Sequence, residues 1–225
     1  MPVNGYHILY PGREGDPENP EKTLDGIYSV SIRTHERKLI YHDPEFQGDM
    51  HLSPDGKHLA LTSGSDQKPQ LYIVDYDGKN RRQLVKSDGA IEKPAFTPDG
   101  KEIIYTFIVS AEGKEVRRSI MAVSIEGGEP REIYASEDPN DGYDTHPSSW
   151  LPDGRYVFDI IHDKGWAQYA IKMDGKSEPV RISDRLGGGY SVSPDATKAA
   201  YDTWKYFSIL WLMSDFLPND ELAKN

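Results

Sequence analysis

Ser53-Pro54-Asp55-Gly56 recurs along the chain as Thr97-Pro98-Asp99-Gly100, Leu151-Pro152-Asp153-Gly154 and Ser193-Pro194-Asp195-Ala196. The prolines stand at positions 54, 98, 152 and 194, so successive copies are 44, 54 and 42 residues apart. Each copy joins two short β-prone segments, and it has turn chemistry because proline presets φ and glycine accepts positive φ. A period of about 40–50 residues is typical of the four-stranded blades of a β-propeller. These turns decide the fold class.

The repeat around Pro54 predicts one complete blade. We expect strands at 49–53, 58–62, 70–75 and 82–85, with Asp77-Gly78 as the hairpin turn between the third and fourth strands. Five third strands carry a bulky residue at one equivalent position, namely Tyr28, Tyr72, Met121, Tyr169 and Trp211. Two residues later, and so on the same strand face, stand Val30, Val74, Val123, Ile171 and Met213. This ladder predicts core packing between blades.

The predicted fold is therefore an all-β propeller that occupies residues 1–225 as a single domain. It has about five blades of mostly four antiparallel strands, with boundaries near 1–43, 44–87, 88–137, 138–184 and 185–225. Residues 3–10 align with 54–61, so the first blade lacks an inner strand, and the last blade has no evident outer strand. Three explanations stay open: two blades have three strands, the tail at 217–225 supplies an edge, or the chain is cut from a longer protein.

Charge and composition exclude several classes of partner. The net charge of −11 disfavours nucleic acid and anionic membrane surfaces, which are bound by clustered Lys and Arg. No stretch approaches the roughly 20 apolar residues of a membrane-spanning helix, and the absence of cysteine excludes disulfides and thiolate metal sites. We expect a monomer, periplasmic if an export signal was trimmed and otherwise cytoplasmic.

The pattern Ser53-Pro54-Asp55-Gly56-Lys57, an apolar strand, and then Leu71-Tyr72-Ile73-Val74-Asp75-Tyr76-Asp77-Gly78 resembles the repeats of TolB-type β-propellers. The resemblance extends from Val3 to about Asp215 and implies a propeller with a binding role. Such repeats also occur in the non-catalytic propellers of prolyl-oligopeptidase-type peptidases and in oligogalacturonate lyases. No Gly-x-Ser-x-Gly hydrolase motif is present in this chain, and the lyases' histidine-rich metal site has no clear counterpart.

The two faces of a propeller differ because successive connections in an antiparallel blade emerge on alternate faces. The Pro-Asp-Gly and Asp-Gly turns share the turn face. The connections between strands two and three, for which we expect loops at 11–25 and 110–118, share the opposite side with the connections between blades. We call this side the long-loop face. Long, irregular connections on a rigid scaffold usually carry binding groups, so we expect the ligand there. The candidate ligand-binding residues are Arg13, Asp49, His51, Asp144, His146, His162, Arg185 and Tyr190.

The leading hypothesis is a non-catalytic propeller that recognises a protein or a carbohydrate-like ligand through the long-loop face. The alternative is a metal-assisted polysaccharide lyase or glycoside hydrolase with its site at the channel mouth. His51, His146 and His162 supply imidazoles for a divalent metal, and 138–144 carries oxygen ligands of the kind calcium takes. Their spacing matches no familiar ligand motif, so we predict no cofactor and assign no catalytic residue or metal ligand, and a bound divalent metal belongs to the alternative.

Overall fold

The computed structural model describes residues 7–16, 19–65, 68–111, 114–135, 142–162, 165–184, 190–192 and 199–201. Its regular elements are all strands, paired antiparallel within five separate sheets. We number the first four sheets blades 1 to 4 in chain order. Among the described residues no helix is long and apolar enough to cross a membrane.

Each blade is built from consecutive strands of the chain. Blade 1 contains β1 (His7–Asp16), β2 (Asn19–Ser31) and β3 (Arg37–His42). Blade 2 contains β4 (Phe46–Leu52), β5 (His58–Ser63), β6 (Gln70–Asp75) and β7 (Arg82–Val85). Blade 3 contains β8 (Ala90–Phe96), β9 (Glu102–Ala111), β10 (Lys114–Ser124) and β11 (Arg131–Ala135). Blade 4 contains β12 (Gly142–Trp150), β13 (Tyr156–His162), β14 (Gly165–Ile171) and β15 (Val180–Asp184). The short pair β16 (Tyr190–Val192) and β17 (Ala199–Tyr201) follows.

This architecture confirms the predicted fold class. Blades 2 to 4 each have four strands in sequence order, and blade 1 has three in its described part, as the repeat alignment predicts. The inner strands β4, β8, β12 and β16 contact one another in succession. The predicted third and fourth strands of blade 2 coincide with β6 and β7, whereas β4 starts three residues before its expected position.

The Pro-Asp turns owe their regularity to an aspartate that binds its own turn. The Ser53 hydroxyl donates to Asp55 Oδ1 over 2.7 Å, and the N–H of Lys57 donates to the same atom over 3.1 Å. Thr97 and Asp99 repeat the first contact at 2.7 Å. The Ser53 hydrogen bond, followed by that of Lys57, lowers the pKa of Asp55 to about 2. The glycines that follow have positive φ: 71° at Gly56, 69° at Gly100 and 83° at Gly154.

The hydrophobic core lies between blades rather than inside any one of them. Blades 1 and 2 bury Ile27, Tyr41, Leu59, Leu61 and Val74 against each other. Blades 2 and 3 share a cluster that includes Leu71, Ile73, Ile91, Phe96, Ile103, Tyr105 and Val123. Blades 3 and 4 share one that includes Ile104, Ile120, Ile133, Tyr156, Phe158, Ile160 and Ile171. The ladder residues of blades 2 to 4 therefore face the preceding blade, as expected for inter-blade packing.

Two of the expected long loops are instead extended hairpins. The prediction of loops at 11–25 and 110–118 is wrong, because β1 continues to Asp16 and β9 to Ala111 before the chain reverses. Cross-strand pairs such as Arg13–Asp25 and Lys114–Ala111 carry the ladder outward. Backbone pairing satisfies the N–H and C=O groups that an irregular loop of this length would leave to solvent. The long-loop face thus carries projecting β-ribbons.

Candidate functional site

Lys93, on the inner strand of blade 3, interacts electrostatically with four charged side chains from blades 2 to 4. We call Asp49, Glu92, Lys93, Arg118 and Asp159 the inner-strand cluster. Asp49 lies on β4, Glu92 and Lys93 on β8, Arg118 on β10 and Asp159 on β13. Three different blades therefore contribute to it.

Lys93 differs from the other residues of the cluster in its backbone conformation. Its φ of +50° is in the left-handed region, and it lies in a bulge where the β8–β9 register shifts between Glu92 and Ala95. The left-handed conformation costs a side-chain-bearing residue about 1–2 kcal/mol. The Asp49 carboxylate accepts the Lys93 backbone N–H over 2.9 Å, so the preceding blade holds the bulge in place.

The Lys93 side chain is half-buried among charges of both signs. Burial is the main influence and lowers the pKa of its ammonium below the ordinary value, although Asp49, Glu92 and Asp159 each act to raise it. Arg118 adds a repulsion that lowers it further. Asp159 is itself buried, with 1% of its surface exposed. Partly desolvated charges interact more strongly than charges in bulk water, so the cluster is suited to polar recognition.

His51 packs against the inner strand of blade 3. Its Nδ1 accepts the backbone N–H of Phe96 over 3.1 Å, and the two rings are 6.1 Å apart between centroids. Burial lowers the pKa of His51 to about 4, so the imidazole is neutral at pH 7. Asp49 and His51 thus accept hydrogen bonds from the backbone of β8, which is an edge strand of its sheet in the described part of the chain.

Arg13 lies apart from the inner strands, on the projecting β1–β2 hairpin. It forms a bidentate pair with Asp25, with Nε 2.6 Å from Oδ1 and the second nitrogen 2.8 Å from Oδ2. Its side chain is 67% exposed. Arg13 therefore lies exposed at the rim of the long-loop face, and its guanidinium is paired with Asp25 across the hairpin.

The other predicted ligand-binding residues lie in blade 4 and beyond. Asp144 and His146 lie on β12, His162 ends β13 and Tyr190 begins β16. Their side chains, like the whole of Arg185, lie outside the described residues, as do the ladder residues Trp211 and Met213 and most of 138–144. The inner strand β8 contacts both β4, which carries His51, and β12, which carries His146, and so lies between them. Within the described ranges no three His, Asp or Glu side chains are placed to hold a metal ion.

A second polar cluster joins blades 1 and 2, and we call it the inter-blade latch. The buried Asp43 accepts hydrogen bonds from Ser63 Oγ at 2.7 Å and Tyr41 Oη at 3.1 Å, and Arg81 approaches it to 3.2 Å. The Arg81 guanidinium also lies 3.9 Å from the centre of the Tyr72 ring. Burial raises the pKa of Asp43, but these partners outweigh burial and the net pKa lies below its ordinary value. Burial also raises the pKa of Tyr41 to about 12. The polar groups of the latch bind one another, so the latch fits a structural role.

Of this cluster, sequence reasoning named Asp49 as a candidate and did not name Glu92, Lys93, Arg118 or Asp159. A signal was present for Lys93, because it stands 44 residues after Asp49 and so occupies the equivalent inner-strand position of the next blade. A charged residue at that repeat position is unusual for a half-buried strand. Nothing in the local sequence of Arg118 or Asp159 indicates that they lie near Lys93.

Comparison with known proteins identifies the family of this fold. The family model for the TolB beta propeller domain matches residues 20–214. The chain belongs to the TolB beta propeller domain family. This TolB-like propeller is 29% identical over 130 residues to dipeptidyl-peptidase 5 of Arthroderma otae, an alignment that covers 49% of this chain and 17% of that protein. The match thus spans less than a fifth of the length of that relative.

Solved structures show the same fold at low sequence identity. TolB from Acinetobacter baumannii superposes with a TM-score of 0.61 at 18% identity, over 89% of this chain and 50% of that one. An oligogalacturonate lyase in complex with manganese gives a TM-score of 0.62 at 14% identity, over 86% and 58%. At such identities the likeness extends to the fold alone.

Proposed function

We propose that this TolB-like propeller is a non-catalytic binding module that recognises a segment of a partner protein through its long-loop face. The inner-strand cluster fixes a polar or charged group of that partner. The observation that carries the proposal is Lys93, a half-buried cation held in a strained conformation by a neighbouring blade. Strained backbone persists only where the surroundings enforce it, and such residues concentrate at binding and catalytic sites.

The chemistry of the cluster favours binding over catalysis. It contains no serine, cysteine or histidine set beside a general base, so it has the charges for recognition without an activated nucleophile. Its three carboxylates and two cations match a partner that presents both signs, as a polypeptide does. A carbohydrate-like ligand is the other ligand class that the sequence allows. Nothing among the described residues favours the metal-assisted lyase or hydrolase alternative.

The experiment selects ligands for the immobilised chain from a random heptapeptide display library, with a glycan array in parallel. Selected ligands are then titrated against Lys93→Asn, which keeps a residue that tolerates positive φ and removes the ammonium. Lys101→Asn, on the turn face, is the matched control, because the Lys101 side chain is 81% exposed.

We expect peptides whose affinity falls at least about tenfold, or roughly 1.4 kcal/mol, in Lys93→Asn and stays unchanged in Lys101→Asn. Ligands lost in Lys101→Asn and retained in Lys93→Asn would place binding on the turn face and refute the proposal. If glycans bind and no peptides are selected, the proposal of a protein partner is wrong and the ligand is a carbohydrate.

A further inference from the structure

Asp-Gly steps recur in this chain, and they carry a chemical reactivity of their own. The described residues contain seven of them, at 25–26, 55–56, 77–78, 88–89, 99–100, 153–154 and 174–175. Glycine has no Cβ, so its nitrogen approaches the preceding side chain with little steric hindrance. The main chain can rearrange through the aspartate side chain at such a step, and the surroundings of each carboxylate decide where this happens.

The rearrangement releases water and then takes water up again. The glycine nitrogen attacks Cγ of the protonated carboxyl group, a C–N bond forms, and the carboxyl hydroxyl leaves as water with the proton of the nitrogen. Water then opens the resulting five-membered succinimide at either carbonyl. Cleavage of the bond to Cγ restores aspartate, whereas cleavage of the bond to the main-chain carbonyl leaves isoaspartate, which has the same mass and one more carbon in the main chain. The carboxyl group must therefore be protonated and free to rotate.

The described Pro-Asp-Gly turns hold their carboxylates in the wrong state for this reaction. Asp55 accepts hydrogen bonds from Ser53 Oγ and the Lys57 N–H, and these lower its pKa to about 2. Asp99 and Asp153 accept hydrogen bonds within their own turns, which lower the pKa of each. The glycine nitrogens are also occupied, since each donates to the carbonyl of the first turn residue over 2.8 or 2.9 Å.

Three more steps are protected by an ion pair or by backbone donors. Asp25 is paired with Arg13, and Asp77 with Lys79. Asp174 accepts two backbone N–H groups of its own turn, each over 2.9 Å. In each case these partners lower the pKa of the carboxyl group. The ionised form is favoured, and an ionised carboxylate has no hydroxyl to lose.

Asp88 lacks this protection. It lies in the connection between β7 and β8, where its side chain is exposed. Within the described part of the chain its carboxylate accepts no hydrogen bond and joins no ion pair. The groups around it are held instead, because Gln70 accepts the Ser87 N–H over 2.9 Å and the Ser87 hydroxyl donates to the Gly89 carbonyl over 3.0 Å. We infer that Asp88 is a modification site, the Asp-Gly step that forms a succinimide and isomerises first in the folded protein.

The packing of Gly89 gives this modification a structural consequence. Gly89 is buried, and a Cβ placed on it would contact the Ile108 carbonyl oxygen and lie 2.6 Å from the Phe107 ring. The main chain therefore has no spare room at this residue. Isomerisation inserts a carbon directly before it, next to the start of β8, the strand that carries Lys93. Isoaspartate at position 88 thus displaces the start of that strand.

The test incubates the folded protein at neutral pH in water enriched in heavy oxygen, followed by peptide mapping with mass spectrometry. Ring opening leaves heavy oxygen at the step that reacted, and a protease that cleaves before aspartate fails at isoaspartate. We expect label and isoaspartate to accumulate at 88–89 at least about tenfold faster than at 55–56 or 99–100, which react only on local opening. The turn steps are matched controls within the same sample. Equal rates, or faster reaction at a turn, would overturn the inference.

Two further measurements show whether the structure sets the rate. In urea the carboxylates lose their partners, so all seven steps react at similar rates; a preference for 88–89 that survives unfolding would come from local sequence and would overturn the inference. Asp88→Glu requires a six-membered ring, which forms more slowly, so the label at this step is lost while the other steps keep their rates. Absence of label at 88–89 in the folded wild type, over a time in which the unfolded chain reacts throughout, would also refute it.

Discussion

The interface between blades 1 and 2 differs from the interface between blades 3 and 4. The first combines an apolar cluster with the inter-blade latch, in which a buried carboxylate meets Arg81. The interface between blades 3 and 4 is centred on aromatic rings, with Tyr134 and Phe158 5.5 Å apart between centroids. The same architecture is thus held by polar groups at one joint and by apolar area at another. The two kinds of joint respond differently to truncation and to pH.

The largest effect is expected from the apolar joint. Phe158→Ala removes a fully buried ring that contacts Tyr134, Tyr156 and Tyr169. The lost burial and the cavity together lower the free energy of unfolding by about 3–5 kcal/mol. Phe158→Leu, the matched control, costs less than about 1.5–2 kcal/mol. Urea unfolding measures both, and equal losses in the two variants would contradict tight packing at this joint.

Truncation of Asp43 in the latch is expected to lower the free energy of unfolding by less than Phe158→Ala does. The size of this effect depends on whether Arg81 is present. Asp43→Ala leaves Ser63, Tyr41 and Arg81 without their shared acceptor and lowers the free energy of unfolding by about 2–3 kcal/mol. In an Arg81→Met background the same change costs less, since the guanidinium is no longer left unpaired. A double-mutant cycle from urea unfolding gives the coupling. Strict additivity would show that the latch is not a unit.

The stabilisation that the latch provides depends on pH. The folded-state pKa of Asp43 lies below its ordinary value, so the unfolded chain takes up the proton first as the pH falls. The stabilisation by Asp43 is present above pH about 4 and is lost as the pH falls through the folded-state value. Asp43→Asn therefore approaches the wild type in stability under acid, and a constant difference from pH 7 to pH 3 would contradict the assignment.

A further pH effect lies at the joint between blades 2 and 3. Burial lowers the pKa of His51 to about 4, against about 6.5 in an unfolded chain, so stability due to neutral His51 falls between pH 6.5 and 4. His51→Asn retains an acceptor for the Phe96 N–H and has no such titration. Thermal unfolding of both proteins across this range measures the effect. Parallel curves would mean that His51 is not buried.

The smallest effect is expected on the turn face. Asp99→Ala removes the acceptor for Thr97 Oγ1 and for the Lys101 N–H in an exposed turn. We expect a loss of about 0.5–1 kcal/mol, since water replaces part of each hydrogen bond. Urea unfolding measures it, with Lys101→Ala as the control. A loss as large as that of Phe158→Ala would show that turns rather than inter-blade packing dominate stability.

The repeat made the fold predictable, because each Pro-Asp turn has a local cause that can be read from four residues. The ladder was predictable for a related reason, since Tyr72 and Val74 alternate with a fixed period. The site was only partly predictable. Asp49 was named as a candidate from its place on an inner strand, whereas the contact of its carboxylate with the Lys93 N–H depends on a bulge that no local signal marks.

The projecting hairpins were missed for a different physical reason. Residues 11–25 contain Pro11, Gly12 and Gly15, which are turn-forming types, and yet the strands continue through them. Cross-strand pairing of Arg13 with Asp25, reinforced by their ion pair, outweighs local propensity there. Tertiary and cross-strand contacts of this kind cannot be read from one segment alone.

The most direct test of the central claim, that the core lies between radially arranged blades, is a double-mutant cycle between Tyr134 in blade 3 and Phe158 in blade 4. Tyr134→Leu, Phe158→Leu and the double variant are compared by urea unfolding. Packing of the two rings across the joint predicts a coupling free energy of about 0.5–1.5 kcal/mol. Additive losses, with no coupling, would mean that the two blades do not meet through these rings and would contradict the account.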